Sequence, residues 1–90
     1  DAVSLEVREE AILGLGRSGA AEAFPVLSGL LGRRGLFAHA EPMEVRVTAA
    51  RALGSVGTLE AMALLADLAR KDSRESVREA AARALTRREG

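Results

Sequence analysis

The chain has no cysteine, which excludes disulfides, thiolate chemistry and cysteine-ligated metals. Its single histidine, His39, leaves no Cys/His zinc site and no paired-histidine site. Tryptophan and tyrosine are absent and phenylalanine occurs twice, so the stacking platforms that single-stranded nucleic acids use are missing. Neither sign of charge is in excess. Thirteen basic and thirteen acidic side chains cancel, which removes the bulk attraction behind non-specific binding to nucleic acid or anionic membrane. No stretch approaches the roughly 18 uninterrupted apolar residues of a membrane span. Nor does a basic segment followed by an apolar run open the sequence. Asparagine and glutamine are lacking, and arginine supplies every basic residue except Lys71. That usage matches GC-rich codons and a bacterial source. These absences point to a cytoplasmic protein, or a cytoplasmic piece of a longer one, with no membrane contact, no metal and no cofactor.

What is present is ordinary for a folded domain: 90 residues, 48% hydrophobic and 29% charged. Length argues for one domain over residues 1–90, with a thin core. The sequence is internally repeated. VREEAILGLGRSG from Val7, VRVTAARALGSVG from Val45 and VREAAARALT from Val77 align without a gap. Val7/Val45/Val77, Arg8/Arg46/Arg78, Ala11/Ala49/Ala81 and Leu15/Leu53/Leu85 form four identical columns. The first two units also match further on, where Glu22, Ala23, Leu27 and Leu30 fall on Glu60, Ala61, Leu65 and Leu68. Periods of this size signal a solenoid.

Each unit reads as a helical hairpin. Val45, Ala49, Ala52 and Leu53 recur at the i, i+4, i+7, i+8 spacing of one helix face. Gly54 and Gly57 read as the stop, and Thr58 as the N-cap of a second helix whose stripe is Ala61, Leu64, Leu65 and Leu68. Asp72 and Glu75 have the spacing of reciprocal capping ahead of a last helix. The expectation is about five helices and no strand: an all-α fold, an α-α superhelix of about two and a half hairpins. Its units span about 4–33, 41–71 and 73–88.

The run V-R-x-x-A-x-x-A-L-G-x-x-G, followed by a small or threonine cap and E-A-x-x-x-L, resembles the HEAT repeat. Within that group it is similar to the bacterial HEAT-like repeats first associated with phycobilisome lyases. Phe24-Pro25-Val26-Leu27 resembles the proline often found early in the second helix of such repeats. The resemblance covers nearly the whole chain. It implies a stacked-helix fold and leaves function open among scaffolds, lyases, hydroxylases and nucleic-acid enzymes. The hydroxylases hold two irons with several His-Glu dipeptides, and this chain has none. Gly14 replaces the usual alanine. Thr86 stands where glycine would end the helix, which implies that the last helix runs on through Arg87 and Arg88.

Candidate site residues fall in two places. If the second and third units set the spacing, the first carries an insertion within residues 32–42, and insertions of this kind map to loops and binding faces. It holds Arg33, Arg34, Phe37 and His39, and reads either as a recognition loop or as a segment whose Leu36 and Phe37 fold back to seal the core. The ridge of second helices supplies Glu22, Ser28, Glu60, Asp67 and Arg70, flanked by Pro25, Gly29 and Ala63. Arg8, Arg46 and Arg78 have two readings, a basic ladder for anions or register pairs with Glu6, Glu44 or Glu75. The second is favoured because acids flank each copy. No catalytic residue is assigned. His39 has only Glu41 for company, Ser4, Ser18, Ser55 and Ser73 read as helix-end or turn residues, and Gly14, Gly16 and Gly19 end a helix rather than open one.

The expectation is a non-catalytic protein-interaction or regulatory scaffold module that binds another protein or another domain of its own chain. The alternative is a structural terminal cap on a larger enzyme or signalling protein. Nucleic-acid binding and a bilin-lyase role are disfavoured by neutral charge and small size. Self-association through an exposed repeat end, on the side of Ile12, Leu13 and Leu15, is also expected.

Overall fold

The computed structural model describes residues 4–32 and 41–89, the side chains of 88 and 89 excepted. Five helices form and no strand does among these residues: α1 (Leu5–Arg17), α2 (Ala23–Leu30), α3 (Met43–Val56), α4 (Leu59–Lys71) and α5 (Glu75–Glu89). Local chemistry explains most boundaries. The Ser4 hydroxyl accepts from the Val7 N–H at 3.2 Å, and the Thr58 hydroxyl accepts from the Ala61 N–H at 3.1 Å. Each satisfies one of the first-turn donors that a helix leaves orphaned. Pro25 lies in the first turn of α2, where its missing N–H removes no intrahelical bond. Gly57 ends α3 in the left-handed region at φ 72°, a conformation that costs an L side chain roughly 1–2 kcal/mol.

Two expected boundaries differ. Gly54 is not part of the stop; it lies inside α3 and is buried. The reciprocal cap of Asp72 and Glu75 does not form. Instead Asp72 accepts from the Arg74 N–H at 2.9 Å and pairs with its guanidinium at 3.2 Å. The last helix does run on through Arg87 and Arg88.

Helices α1, α3 and α5 stack side by side, and α2 and α4 pack against them, with α3 touching all the others. The fully buried large side chains are Leu27, Leu31, Leu53, Leu65, Leu68, Val45 and Val77, set among alanines 49, 50, 52, 61 and 81. The small residues have a definite use. A Cβ placed on Gly16 would lie 2.5 Å from the Ala52 carbonyl oxygen, and one on Gly54 would lie 3.2 Å from the Ala84 Cβ. Ala52 and Ala84 occupy the same position of successive units, as do Gly16 and Gly54. The repeated glycine is therefore the contact at which one first helix meets the next, which is why it is buried within the helix rather than ending it.

Candidate functional site

The repeated arginine is a joint between units. Arg46 is 3% exposed. Its Nη1 donates to the Leu31 carbonyl, the C-cap of α2, at 2.8 Å, and its Nε donates to the Glu41 carbonyl at 3.1 Å. Burial holds its guanidinium below the ordinary arginine value. Arg74 acts in the same direction, and Asp72 and Glu41 oppose it. Arg78 repeats the arrangement, its Nη1 donating to the carbonyl of Asp72, the C-cap of α4, at 2.8 Å. In both cases a cation meets the negative end of a helix dipole and satisfies a terminal carbonyl. Arg8 instead reaches forward to the Glu41 carboxylate at 2.7 Å, with its side chain 41% exposed. Arg8 thus pairs with a carboxylate, that of Glu41, whereas Arg46 and Arg78 donate to backbone carbonyls at the ends of the preceding second helices. The contacts that join the units therefore differ from the expected ones to Glu6, Glu44 or Glu75.

On the second-helix side, Glu22 and Glu60 are exposed at the starts of α2 and α4, and Pro25, Gly29 and Ala63 are exposed along them. The Ser28 hydroxyl donates to the Pro25 carbonyl at 3.2 Å. Asp67 pairs with Arg70 at 3.3 Å and with Lys71 at 3.7 Å. The charges of Asp67 and Arg70 are thus paired within α4. Arg33, Arg34, Phe37 and His39 lie outside the described residues.

A different surface carries unsettled charge. Arg17, Arg51 and Arg87, one each from α1, α3 and α5, line a cleft of about 340 Å³ together with Leu13, Gly54 and Ala84. Arg51 and Arg87 continue into a broader groove of about 1010 Å³ that adds Arg83 and, towards the other end of the helices, Glu9, Glu44 and Glu79. All four arginines are exposed. Among the described residues none of them makes a hydrogen bond or ion pair, whereas Arg8, Arg46, Arg70, Arg74 and Arg78 all do. The close approach of α3 to α5 at Gly54 and Ala84 brings the cleft's walls together. Repeat logic could not find this row. The position that holds Leu13 in the first unit holds Arg51 and Arg83 in the others, and Arg17 corresponds to Ser55 and Arg87, so neither of these two columns is uniformly basic. The only sequence signal is a basic residue in the last two turns of each first helix.

Chemically the described part of this surface offers guanidinium groups, with Ser55 and Ser76 among the other lining residues. Ser4 and Ser18 are engaged at the ends of α1, Ser18 donating to the Leu15 carbonyl at 2.8 Å. Among the described residues no group of three or more His, Asp or Glu is placed to hold a metal ion, and no helix is long and apolar enough to cross a membrane. A family model described as HEAT repeats matches residues 3–86. No curated protein matches the chain, and no solved structure does.

Proposed function

The chain belongs to the HEAT repeat family, and from that premise we propose that it is a cytoplasmic, non-catalytic interaction module that docks an acidic segment of a partner protein along Arg17, Arg51, Arg83 and Arg87. HEAT repeats generally act as scaffolds that bind other proteins. What supports this surface is one observation: among the described residues the side chains of Arg17, Arg51, Arg83 and Arg87 have no hydrogen-bond or ion-pair partner, while Arg8, Arg46, Arg70, Arg74 and Arg78 each have one. Packed helices lie roughly 8–10 Å apart, and a chain in the polyproline II conformation advances about 3.1 Å per residue with three residues per turn, so every third side chain shares a face. Acidic side chains three residues apart therefore match the step from one helix to the next. Guanidinium is the cation suited to such carboxylates because its planar fork binds them bidentately.

A nucleic-acid backbone fits less well. No tryptophan or tyrosine is available for base stacking. Glu22, Ser28, Glu60, Asp67 and Arg70, on α2 and α4 and at their starts, are proposed as a second contact surface of the same module.

The test is fluorescence anisotropy of a labelled peptide with glutamate at every third position, beside its glutamine counterpart and a single-stranded oligonucleotide. The glutamate peptide should bind at low salt and weaken as salt rises. Arg51→Glu with Arg87→Glu should lower its affinity at least about 10-fold without changing the melting temperature much. Equal binding of the glutamine peptide, or tighter binding of the oligonucleotide, would overturn the reading.

A further inference from the structure

The smaller cleft differs in charge from the groove beside it. The broad groove sets Glu9, Glu44 and Glu79 against its arginines, whereas the 340 Å³ cleft is lined by Arg17, Arg51 and Arg87 and, among the described residues, by no acid. Each of three helices presents two lining residues three or four positions apart: Leu13 and Arg17 from α1, Arg51 and Ser55 from α3, Ala84 and Arg87 from α5. That spacing puts both members of a pair on one helix face. Three guanidinium groups from three helices therefore border one hollow. Leu13, expected on an uncovered side with Ile12 and Leu15, is half-buried and lines this cleft; Leu15 is also half-buried, and Ile12 is buried at 8% exposure.

The hydroxyl in the cleft is also available. Thr48 and Thr86 donate to the carbonyl four residues back, at 2.8 and 3.0 Å, and Ser18 and Ser28 to the one three residues back, at 2.8 and 3.2 Å. Ser55, exposed near the end of α3, makes no such bond among the described residues.

Three like charges around one hollow repel, and an anion seated there relieves the repulsion. The helix dipoles act the other way, because the cleft lies towards the C-terminal ends of α1, α3 and α5. Each such end carries roughly half a negative charge, so together they offset at most about half of the guanidinium charge. The anion still wins. A carboxylate has two oxygens, and a single guanidinium can engage both in a fork. A phosphate monoester brings three acceptor oxygens and a charge of about −1.5 to −2 at neutral pH, enough to occupy all three arginines and the Ser55 hydroxyl. The cleft volume falls within the roughly 300–1,000 Å³ of small-ligand pockets, which leaves room for the side chain that carries the phosphate.

We propose that this cleft binds the phosphate monoester of a phosphorylated serine or threonine in the partner segment. The inference rests on the acidic-segment reading above and narrows it, since docking then depends on whether the partner is phosphorylated. Arg17, Arg51, Arg87 and Ser55 hold the phosphate, and Arg83, outside the cleft, meets an ordinary carboxylate.

The experiment compares two labelled peptides by fluorescence anisotropy: one with glutamate at every third position, and the same peptide with phosphoserine replacing its central glutamate. The phosphoserine peptide should bind at least about 10-fold more tightly at about pH 7.5. That preference should shrink at about pH 5, below the second phosphate pKa of about 6. The groups facing the phosphate from α1, α3 and α5 are arginines, which stay charged throughout, so only the ligand loses charge. Arg17→Gln and Ser55→Ala should each reduce the preference, whereas Arg83→Gln should weaken both peptides by a common factor. Equal affinities for the two peptides, or a preference that Arg17→Gln leaves intact, would overturn this inference while binding of the glutamate peptide kept the acidic-segment reading in place. Binding of neither peptide would overturn both. Free phosphoserine competing as strongly as the phosphoserine peptide would also overturn the inference, by making a small phosphate ester the ligand.

Discussion

Glycines two residues apart in α1 should respond to the same substitution with opposite sign. At Gly14 a Cβ has nothing within 4 Å and the backbone is helical, so Gly14→Ala gains helix propensity and nothing else. That gain is about 0.5–1 kcal/mol. At Gly16 the same methyl would lie 2.5 Å from the Ala52 carbonyl oxygen, 2.9 Å from its Cβ and 3.0 Å from its carbonyl carbon. Two of those atoms are backbone and cannot swing aside, so α1 and α3 must separate. Overpacking of this kind costs about 1–3 kcal/mol, and contact with main chain places it at the upper end. Net of propensity, Gly16→Ala should destabilise by about 2 kcal/mol. In a domain of this size 1 kcal/mol shifts Tm by roughly 4–8 °C. Gly14→Ala should therefore raise Tm by about 4 °C and Gly16→Ala lower it by about 10 °C. Thermal melts followed by circular dichroism at 222 nm measure both, with urea titration to confirm an unchanged m-value. If Gly16→Ala proves as stabilising as Gly14→Ala, the glycine is not a packing contact and the account of how units join fails.

Other perturbations probe the remaining joints. Arg46→Met leaves the Leu31 and Glu41 carbonyls without that donor and should cost about 2 kcal/mol in urea unfolding; Arg8→Met removes only a partly exposed ion pair and should cost less than about 1 kcal/mol. Thr58→Ala deletes the hydroxyl that accepts from the Ala61 N–H and should cost about 1 kcal/mol, with Thr58→Ser restoring most of it.

Helix periodicity exposed the core because burial repeats with the unit. Val45 and Val77, Ala49 and Ala81, and Leu27 and Leu65 stand at the same positions of successive hairpins, and all are 0% exposed. The same logic failed where position in the array matters more than position in the unit. Val7 precedes the same arginine as Val45 and Val77, yet it is 58% exposed where they are 0%, and no composition or period records that difference. Gly54 was ambiguous for a different reason. A glycine near a helix end satisfies both a stop and a close approach, and only the distance to Ala84 separates them. The arginine cleft was illegible because its members come from different columns, with Leu13 and Ser55 interrupting the series. Packing three helices side by side assembles what no linear pattern contains.

The glycine–alanine contact has a bearing on how such a chain can grow. Each unit with a glycine near the end of its first helix and a small residue two positions earlier carries both halves of the joint, one for each neighbour. A tandem duplication copies both halves together, so a new unit fits between old ones with no compensating change elsewhere. Lengthening by gene duplication is then a single genetic event, whereas a bulky residue at either half would have demanded coordinated substitutions in two places.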